Sequence, residues 1–282
     1  MAHHEINFSN WQASWIAMED YRPENGFEEI VGDSRTLKRM LKLAMKVASS
    51  DAPVLILGED GSGKELIARA IHRISTRKNQ SFVKVNCTAE PSAAAMLERH
   101  MFGLENESQD ERKKIGYVEL ANEGTLFLDE IAHLSLGLQA ELLQLLWRQE
   151  IERVGGKHGI GVNIRVIATT QYDLGECVAK EMFRGDLYDQ LNVFPVQVPA
   201  LRERRDDIPL LVRYFMQKFA RRLNKHIETI PAETLSFLTN SDWPGNVRQL
   251  ENLIERSVAL TEGSVLYVPR SVLQPDSGSE NN

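Results

Sequence analysis

The run Gly58-Glu59-Asp60-Gly61-Ser62-Gly63-Lys64-Glu65 constrains the fold more than any other part of this chain. It follows the apolar segment Val54–Leu57 directly and precedes a helical pattern that begins at Leu66. Glycines let the backbone turn so that several N–H groups point into one concavity, and a helix amino terminus adds partial positive charge there. Lys64 adds a full charge for terminal phosphates. The run therefore predicts a strand, a phosphate-binding loop and a helix, with Gly58–Leu66 in contact with the phosphates.

A second element supports this interpretation, because alone the run could be a glycine-rich surface turn. The generic phosphate-loop pattern also ends in a Ser or Thr, whereas this chain has Glu65. Gly124-Thr125-Leu126-Phe127-Leu128-Asp129-Glu130 has the pattern of a buried strand that ends in two acids. Asp129 is suited to hold Mg²⁺ through water, and Glu130 to polarise an attacking water. The two elements in this order predict nucleotide binding.

Composition excludes several other classes of protein. Of the 282 residues 42% are hydrophobic and 26% charged, as in ordinary globular chains. No apolar stretch approaches the roughly 18 residues of a membrane span, and the first residues lack signal-peptide features, so we expect a cytoplasmic protein. The net charge of −7 argues against direct DNA binding. Cys87 and Cys177 have no metal-site spacing and are expected to be small apolar fillers.

Short apolar runs alternate with helical patterns up to about residue 200. The predicted strands are Val54–Leu57, Phe82–Val85, Thr125–Leu128, Ile164–Ala168 and Phe194–Val198. This alternation predicts a parallel five-stranded sheet with helices on both faces, an α/β fold. The first of these helices is expected to bury Leu66, Ala70, Ile71 and Ile74.

Beyond Pro199 a charged connector leads to three helical patterns, which predict a small helical lid. We expect an N-terminal arm over 1–26, a nucleotide-binding domain over 27–200, the lid over 201–270 and a disordered tail over 271–282.

Several segments carry a more specific resemblance. They are the loop Gly58–Leu66, the strand Gly124–Ile131, Phe183-Arg184-Gly185-Asp186-Leu187-Tyr188, Leu191-Asn192-Val193-Phe194, Leu201-Arg202-Glu203-Arg204 and Trp243-Pro244-Gly245-Asn246-Val247-Arg248-Gln249-Leu250. Together they resemble, over about residues 27–270, the AAA+ domain of bacterial enhancer-binding proteins, the activators of sigma-54 RNA polymerase. In that family Glu is normal at the position of Glu65. The resemblance implies a P-loop AAA+ three-layer αβα domain with an all-helical lid, ATP and Mg²⁺ as ligands, and ATP hydrolysis.

The resemblance also implies roles for individual residues. Asn86 occupies the position of a switch residue that holds the catalytic Glu130, although a strand-end Asn can equally satisfy a turn. Thr170 and Gln171 occupy the sensor I position, next to the terminal phosphate. Arg248 matches sensor II, a lid arginine, and lies off the apolar stripe of its helix.

Arg184 matches the arginine finger that reaches into the next subunit's site. An arginine there stabilises charge on the transferred phosphoryl group, so the resemblance implies a ring, usually a hexamer. Where the family has a second arginine, this chain has Gln190, which keeps hydrogen-bonding ability but has no charge. We therefore expect hydrolysis to be slow but not abolished.

The second departure from the family pattern is in the segment with which the family contacts the sigma factor. After Phe102-Gly103 the family has a Gly-Ala-Phe-Thr-Gly-Ala loop, but residues 104–116 of this chain are shorter and highly charged, with no such motif. An aromatic tip that could enter an apolar pocket is missing, which puts direct contact with sigma-54 in doubt. We also expect neither a receiver domain within residues 1–26 nor a helix-turn-helix within the residues given after Leu273.

Three functions therefore stay open at this stage. The first is an ATPase of the enhancer-binding-protein type that couples hydrolysis in a ring to movement of a protein partner in transcription, which is RNA polymerase with sigma-54 or another transcription regulator. The second is a nucleotide-gated interaction module with weak or no hydrolysis and no direct sigma-54 contact. The third is a DNA-binding regulator of another polymerase form, which would need a DNA-binding element from elsewhere.

Overall fold

A computed structural model of the chain describes residues 5–7, 27, 29–88, 94–105 and 114–269. The expected tail lies outside the described residues, as does the expected arm apart from 5–7. The chain divides into a sheet unit, Met40–Glu59 with Lys64–Val198, and a helical unit, Met1–Arg39 with Asp60–Gly63 and Pro199–Asn282. The domain boundaries named above stay predictions.

The regular elements follow in chain order. They are β1 (Glu5–Asn7), α1 (Arg35–Ala48), β2 (Val54–Leu57), α2 (Lys64–Arg73), β3 (Phe82–Asn86), α3 (Ala94–Phe102), α4 (Tyr117–Leu120), β4 (Thr125–Asp129), α5 (Leu136–Arg148), β5 (Glu150–Glu152), β6 (Gly159–Gly161), β7 (Arg165–Thr170), α6 (Leu174–Ala179), α7 (Gly185–Leu191), β8 (Phe194–Gln197), α8 (Ile208–Arg222), β9 (Thr229–Pro231), α9 (Ala232–Asn240) and α10 (Asn246–Leu260). None of the described helices is long and apolar enough to cross a membrane.

The sheet unit is built on a parallel five-stranded sheet, which confirms the predicted fold class. Its strand order is β3-β4-β7-β2-β8, with every neighbouring pair parallel. Leu55, Leu128 and Ala168 join a buried cluster with side chains of α3 to α7. A hairpin of β5 and β6, which the sequence analysis did not predict, adds an antiparallel pair.

Helix α2 packs on the sheet with a different phase from the predicted one. Ala70 and Ile71 are buried as expected, but Leu66 is 41% exposed, and the expectation that it faces the core is wrong. The helix begins at Lys64, and Ile67 and Ala68 instead lie on the buried side. Leu66, one position before the buried Ile67, therefore points away from the sheet.

Arg165 is fully buried in the sheet unit at the start of β7. Its Nη1 and Nη2 donate to the carbonyl oxygens of Ala48 and Val47, at 2.9 and 2.8 Å, in the last turn of α1. Carbonyls at a helix end have no intrahelical partner, so the guanidinium satisfies two of them. Burial lowers the pKa of Arg165 to about 10.

The helical unit has its own core, formed by α8, α9 and α10. Phe215, Leu238 and Ile254 are among the side chains that it buries. The unit also contains the short strand β9, which pairs antiparallel with β1 and which the expectation of an all-helical lid did not include. Buried Asp207 accepts hydrogen bonds from the N–H groups of Asp33 and Ser34, at 2.6 and 2.7 Å.

Candidate functional site

The start of the phosphate-binding loop at Gly58 and the acidic end of β4 lie at one edge of the sheet. β2 and β4 flank β7 in the parallel sheet, so their carboxyl ends face the same side. Gly58 N donates to Thr170 O at 3.2 Å, which ties the start of the loop to the end of β7. Open α/β sheets bind ligands at the carboxyl ends of their strands. The sheet thus collects Gly58, Lys64, Asp129, Glu130 and Thr170 at its ligand-binding edge.

Lys64 is buried at the start of α2 and turns its ammonium back onto the loop. Its Nζ donates to the carbonyl oxygens of Gly58 and Glu59, at 2.8 and 3.2 Å. The same nitrogen lies 2.9 Å from Glu130 Oε1, and the two side chains are only 6% and 13% exposed. The predicted phosphate-binding cation and the predicted catalytic acid therefore form a largely buried ion pair.

Asp129 and Glu130 are organised by Thr169, a residue that the sequence analysis missed. Thr169 Oγ1 donates to Asp129 Oδ1 at 2.8 Å and accepts from Glu130 N at 3.1 Å. Glu130 has a left-handed backbone with φ of 57°, and its Oε2 accepts from Gln171 N at 3.0 Å. Both oxygens of the Glu130 carboxylate thus have partners within the sheet unit.

Lys84 and Glu65 complete the charged cluster. Lys84 Nζ donates to Glu65 Oε2 at 2.7 Å and lies 2.9 Å from Asp129 Oδ2. Glu65 also accepts two hydrogen bonds from Arg69. Burial alone would raise the pKa of Glu65, but the hydrogen bonds from Lys84 and Arg69 hold that pKa below its ordinary value. Glu65 is therefore an ionised part of the site.

Two predicted site residues make local contacts instead. Asn86 Oδ1 accepts from Thr88 N at 3.0 Å and from Thr88 Oγ1 at 2.6 Å, so its carboxamide oxygen closes a turn after β3. Thr170 is fully buried, and its Oγ1 accepts from Tyr172 N at 3.0 Å. The switch and sensor roles of Asn86 and Thr170 stay predictions, and the turn expected as the alternative role of Asn86 is present.

Arg248 contacts the phosphate-binding loop within the helical unit. Its Nη1 lies 2.8 and 2.7 Å from the two carboxylate oxygens of Asp60. Its backbone N donates to Gly61 O at 3.3 Å, and Asn246 Nδ2 donates to Asp60 O at 3.0 Å. Arg204, whose pKa is lowered by burial, donates to Ser62 O at 3.0 Å. Side chains after Leu201 thus hold Asp60 and Ser62, and the backbone N–H of Arg248 holds Gly61 between them.

The middle of the loop has the features of an anion cradle. Gly61 and Gly63 have φ of 71° and 104°. A Cβ on Gly61 would collide with Gly245 O, whereas one on Gly63 would meet nothing within 4 Å. The buried Ser62 Oγ has no hydrogen-bond partner among the described residues. Left-handed glycines, open space and an unsatisfied hydroxyl fit a phosphate ligand.

Asp129 fits a divalent cation that comes with a nucleotide. Its carboxylate offers the oxygen ligands that Mg²⁺ prefers, and the Lys84 ammonium already stands beside one of them as a cation. Among the described residues, no group of three or more His, Cys, Asp or Glu side chains could hold a metal alone. Phosphate oxygens would therefore have to complete the coordination.

Arg184 lies on the surface directly before α7, and its ion pair is with Asp186. Its Nε and Nη2 contact Asp186 Oδ1 and Oδ2 at 3.0 and 2.7 Å, and its side chain is 40% exposed. The hydrogen bond to Asp186 raises the pKa of Arg184. Gln190 follows on the same helix and is partly buried. The finger role assigned to Arg184 stays a prediction.

The loop that departs from the family pattern has an ordered base. Residues 106–113 lie outside the described residues, but Leu104 and Lys114 form an antiparallel bridge at the base. Arg153 binds Glu105 on one side and Glu119 on the other, at 2.9 and 2.8 Å. These contacts raise the pKa of Arg153. The two ends of the charged segment are therefore held close together.

Comparison with known proteins identifies the family of this chain. A family model of the sigma-54 interaction domain matches residues 30–197, and one of the AAA+ ATPase lid domain matches residues 202–277. The formate hydrogenlyase transcriptional activator FhlA of Escherichia coli K12 is 51% identical over 247 residues, covering 87% of this chain and 35% of that protein. The transcriptional activator HyfR of the same organism is 45% identical, covering 95% of this chain and 42% of that protein.

Solved structures show the same fold. Crystal structures of NtrX from Brucella abortus in complex with ATP and with ADP both have a TM-score of 0.79. The ATP complex is 36% identical, covering 93% of this chain and 60% of NtrX.

The fold and the site together define a P-loop AAA+ module. The chain belongs to the sigma-54 interaction domain family, and the relatives that it matches include transcriptional activators. It spans well under half the length of the curated relatives FhlA and HyfR.

Proposed function

We propose that this chain is the ATP-hydrolysing module of a sigma-54-type transcriptional regulator. The observation that carries this proposal is the pairing of Lys64 with Glu130, 2.9 Å apart, at the carboxyl edge of the parallel sheet. A phosphate-binding cation and a carboxylate that can orient water must lie together for phosphoryl transfer to water. The family supports the same function.

Each site residue then has a role in hydrolysis. The N–H groups of Gly58–Leu66 and the Lys64 ammonium bind the phosphates of ATP. Asp129 holds Mg²⁺, which neutralises phosphate charge when bound, and Thr169 orients that carboxylate. Glu130 orients and deprotonates the attacking water. Thr170, Gln171 and Arg248 respond to the terminal phosphate, with Arg248 leaving Asp60 for it.

The same proposal requires more than one copy of the chain. Arg184 completes the site of a neighbouring subunit in a ring, a hexamer as in the resemblance described above, and Gln190 makes turnover slow. The partner is RNA polymerase with sigma-54, or another transcription regulator, and the compartment is the cytoplasm. Asn86 acts as the switch only after its oxygen leaves Thr88.

ATP turnover per subunit over a wide range of protein concentration tests the enzyme. We expect turnover to rise as rings assemble, with size-exclusion chromatography alongside. Glu130→Gln should keep ATP binding and lower kcat by about 10²–10⁴-fold, because the water loses its base. Lys64→Ala should impair binding and turnover together. Glu262→Gln, at an exposed position after α10, is the matched control.

A mixing experiment tests the shared site. Glu130→Gln keeps Arg184, and Arg184→Ala keeps Glu130, so neither variant alone has a complete site. Mixed rings should regain part of the activity if Arg184 acts on its neighbour. Unchanged turnover in Glu130→Gln would refute the mechanism, and ATP binding without turnover at any concentration would favour the nucleotide-gated module instead.

A further inference from the structure

Lys84 is a charged residue inside the apolar sequence of an edge strand, β3. A lysine on an edge strand can discourage pairing with other chains. That use needs no carboxylate partner, yet Lys84 Nζ lies 2.7 Å from Glu65 Oε2 and 2.9 Å from Asp129 Oδ2. Its side chain is only 34% exposed. Lys84 therefore bridges Glu65, in the first turn of α2, and the acid at the end of β4.

The charges around Lys84 balance closely. Lys64 pairs with Glu130, Arg69 with Glu65, and Lys84 with both Asp129 and Glu65. These six groups comprise three cations and three carboxylates. Without Lys84 the carboxylates outnumber the cations, and Asp129 loses the partner of its Oδ2. A nucleoside triphosphate, with about four negative charges of its own, would then meet a net negative site.

We propose that Lys84 is a positioning residue that holds the Asp129 and Glu65 carboxylates together and lets the loop bind a nucleoside triphosphate before a divalent cation arrives. This inference rests on the proposed function. Lys84 then substitutes in part for Mg²⁺, because its ammonium neutralises the same carboxylate that would hold the metal. The measurable consequence is how strongly nucleotide affinity depends on Mg²⁺.

The test is equilibrium binding of a fluorescent ATP analogue to the full chain, once with Mg²⁺ and once with EDTA. The quantity of interest is the ratio of the Kd in EDTA to the Kd in Mg²⁺. Lys84→Met should raise this ratio about tenfold, because one partly buried charge is lost. Lys84→Arg should keep it within about twofold of wild type. Lys78→Met, an exposed lysine before the same strand, is the matched control.

Removing the partner charge should act in the opposite direction. Glu65→Gln should lower the ratio, and Lys84→Met combined with Glu65→Gln should return it toward wild type. The cycle stays informative if one single variant folds poorly, which circular dichroism detects. An unchanged ratio in Lys84→Met, or a double variant no closer to wild type than Lys84→Met, would overturn this inference alone. Absence of binding by wild type in both conditions would overturn the proposed function as well.

Discussion

The ion pair between Arg248 and Asp60 gives a prediction about nucleotide affinity. Asp60 occupies a middle position of the phosphate-binding loop, and both of its carboxylate oxygens lie within 2.8 Å of Arg248 Nη1. If Arg248 binds phosphate, it must first leave Asp60. The change Asp60→Asn removes this competition and also removes a negative charge from the loop. We therefore expect Asp60→Asn to bind ATP more tightly than wild type.

The magnitude follows from the exposure of the pair. The Arg248 and Asp60 side chains are 64% and 59% exposed, and exposed ion pairs contribute about 0–1 kcal/mol. One kcal/mol corresponds to roughly a fivefold change in Kd. The gain should therefore reach at most about fivefold and should shrink at high salt. The free energy of unfolding should change by less than about 1 kcal/mol.

Isothermal titration calorimetry with ATP, on a double-mutant cycle, checks the reasoning. Asp60→Asn should strengthen binding more while Arg248 is present than in an Arg248→Ala background, where it removes only the negative charge of the loop and no competing ion pair. Arg205→Ala, which breaks another exposed pair in the helical unit with Asp242, serves as the control. Weaker ATP binding by Asp60→Asn would refute the idea that Arg248 leaves Asp60 to bind phosphate, since it would mean that the Asp60 carboxylate itself supports nucleotide binding.

Three further predictions concern buried charge and reactivity. Arg165→Met should lower the free energy of unfolding by about 2 kcal/mol in urea denaturation, because it leaves helix-end carbonyls unsatisfied; an unchanged midpoint would contradict this. Burial is the main cause that raises the pKa of the Cys87 thiol, and the nearby carboxylates raise it further. In a Cys177→Ser background, Cys87 should therefore react with a disulfide reagent only after unfolding. Burial, and then the neighbouring Glu98, raise the pKa of Glu141 to about 7. The folded state therefore binds more protons than the unfolded state between about pH 4.5 and 7, and stability should fall as pH rises through that window. Glu141→Gln should remove this loss, and its melting temperature should exceed that of wild type at pH 8 but not at pH 4.

The fold could be predicted because its strands are short apolar runs bounded by strong signals. The phosphate-binding loop fixes the end of β2, and the acidic pair fixes the end of β4. Thr169 was missed because a threonine directly after an apolar run carries no chemical signal of its own. It could have been found from the parallel register, since Leu128 pairs with Ala168 and the next residues are Asp129 and Thr169. Lys84 was detectable as a charge in an apolar strand.

Side-chain partners were harder to predict than strands. Asn86 sits opposite Asp129 in the register of β3 and β4. Its oxygen bonds Thr88 instead, and a choice between hydrogen bonds of similar strength leaves no trace in sequence pattern. The exposure of Leu66 has a different cause, because the phase of a short helix depends on the residue at which it begins.

The contacts of Glu130 indicate what nucleotide binding has to change. A general base needs a free carboxylate oxygen toward its water, but Oε1 faces Lys64 and Oε2 accepts from Gln171 N. Phosphates that attract the Lys64 ammonium would release Oε1, while the bond from Gln171 N would keep the carboxylate oriented at the end of β7. Substrate binding would thus activate the base by taking its cation, in a step separate from the Asn86 switch proposed above.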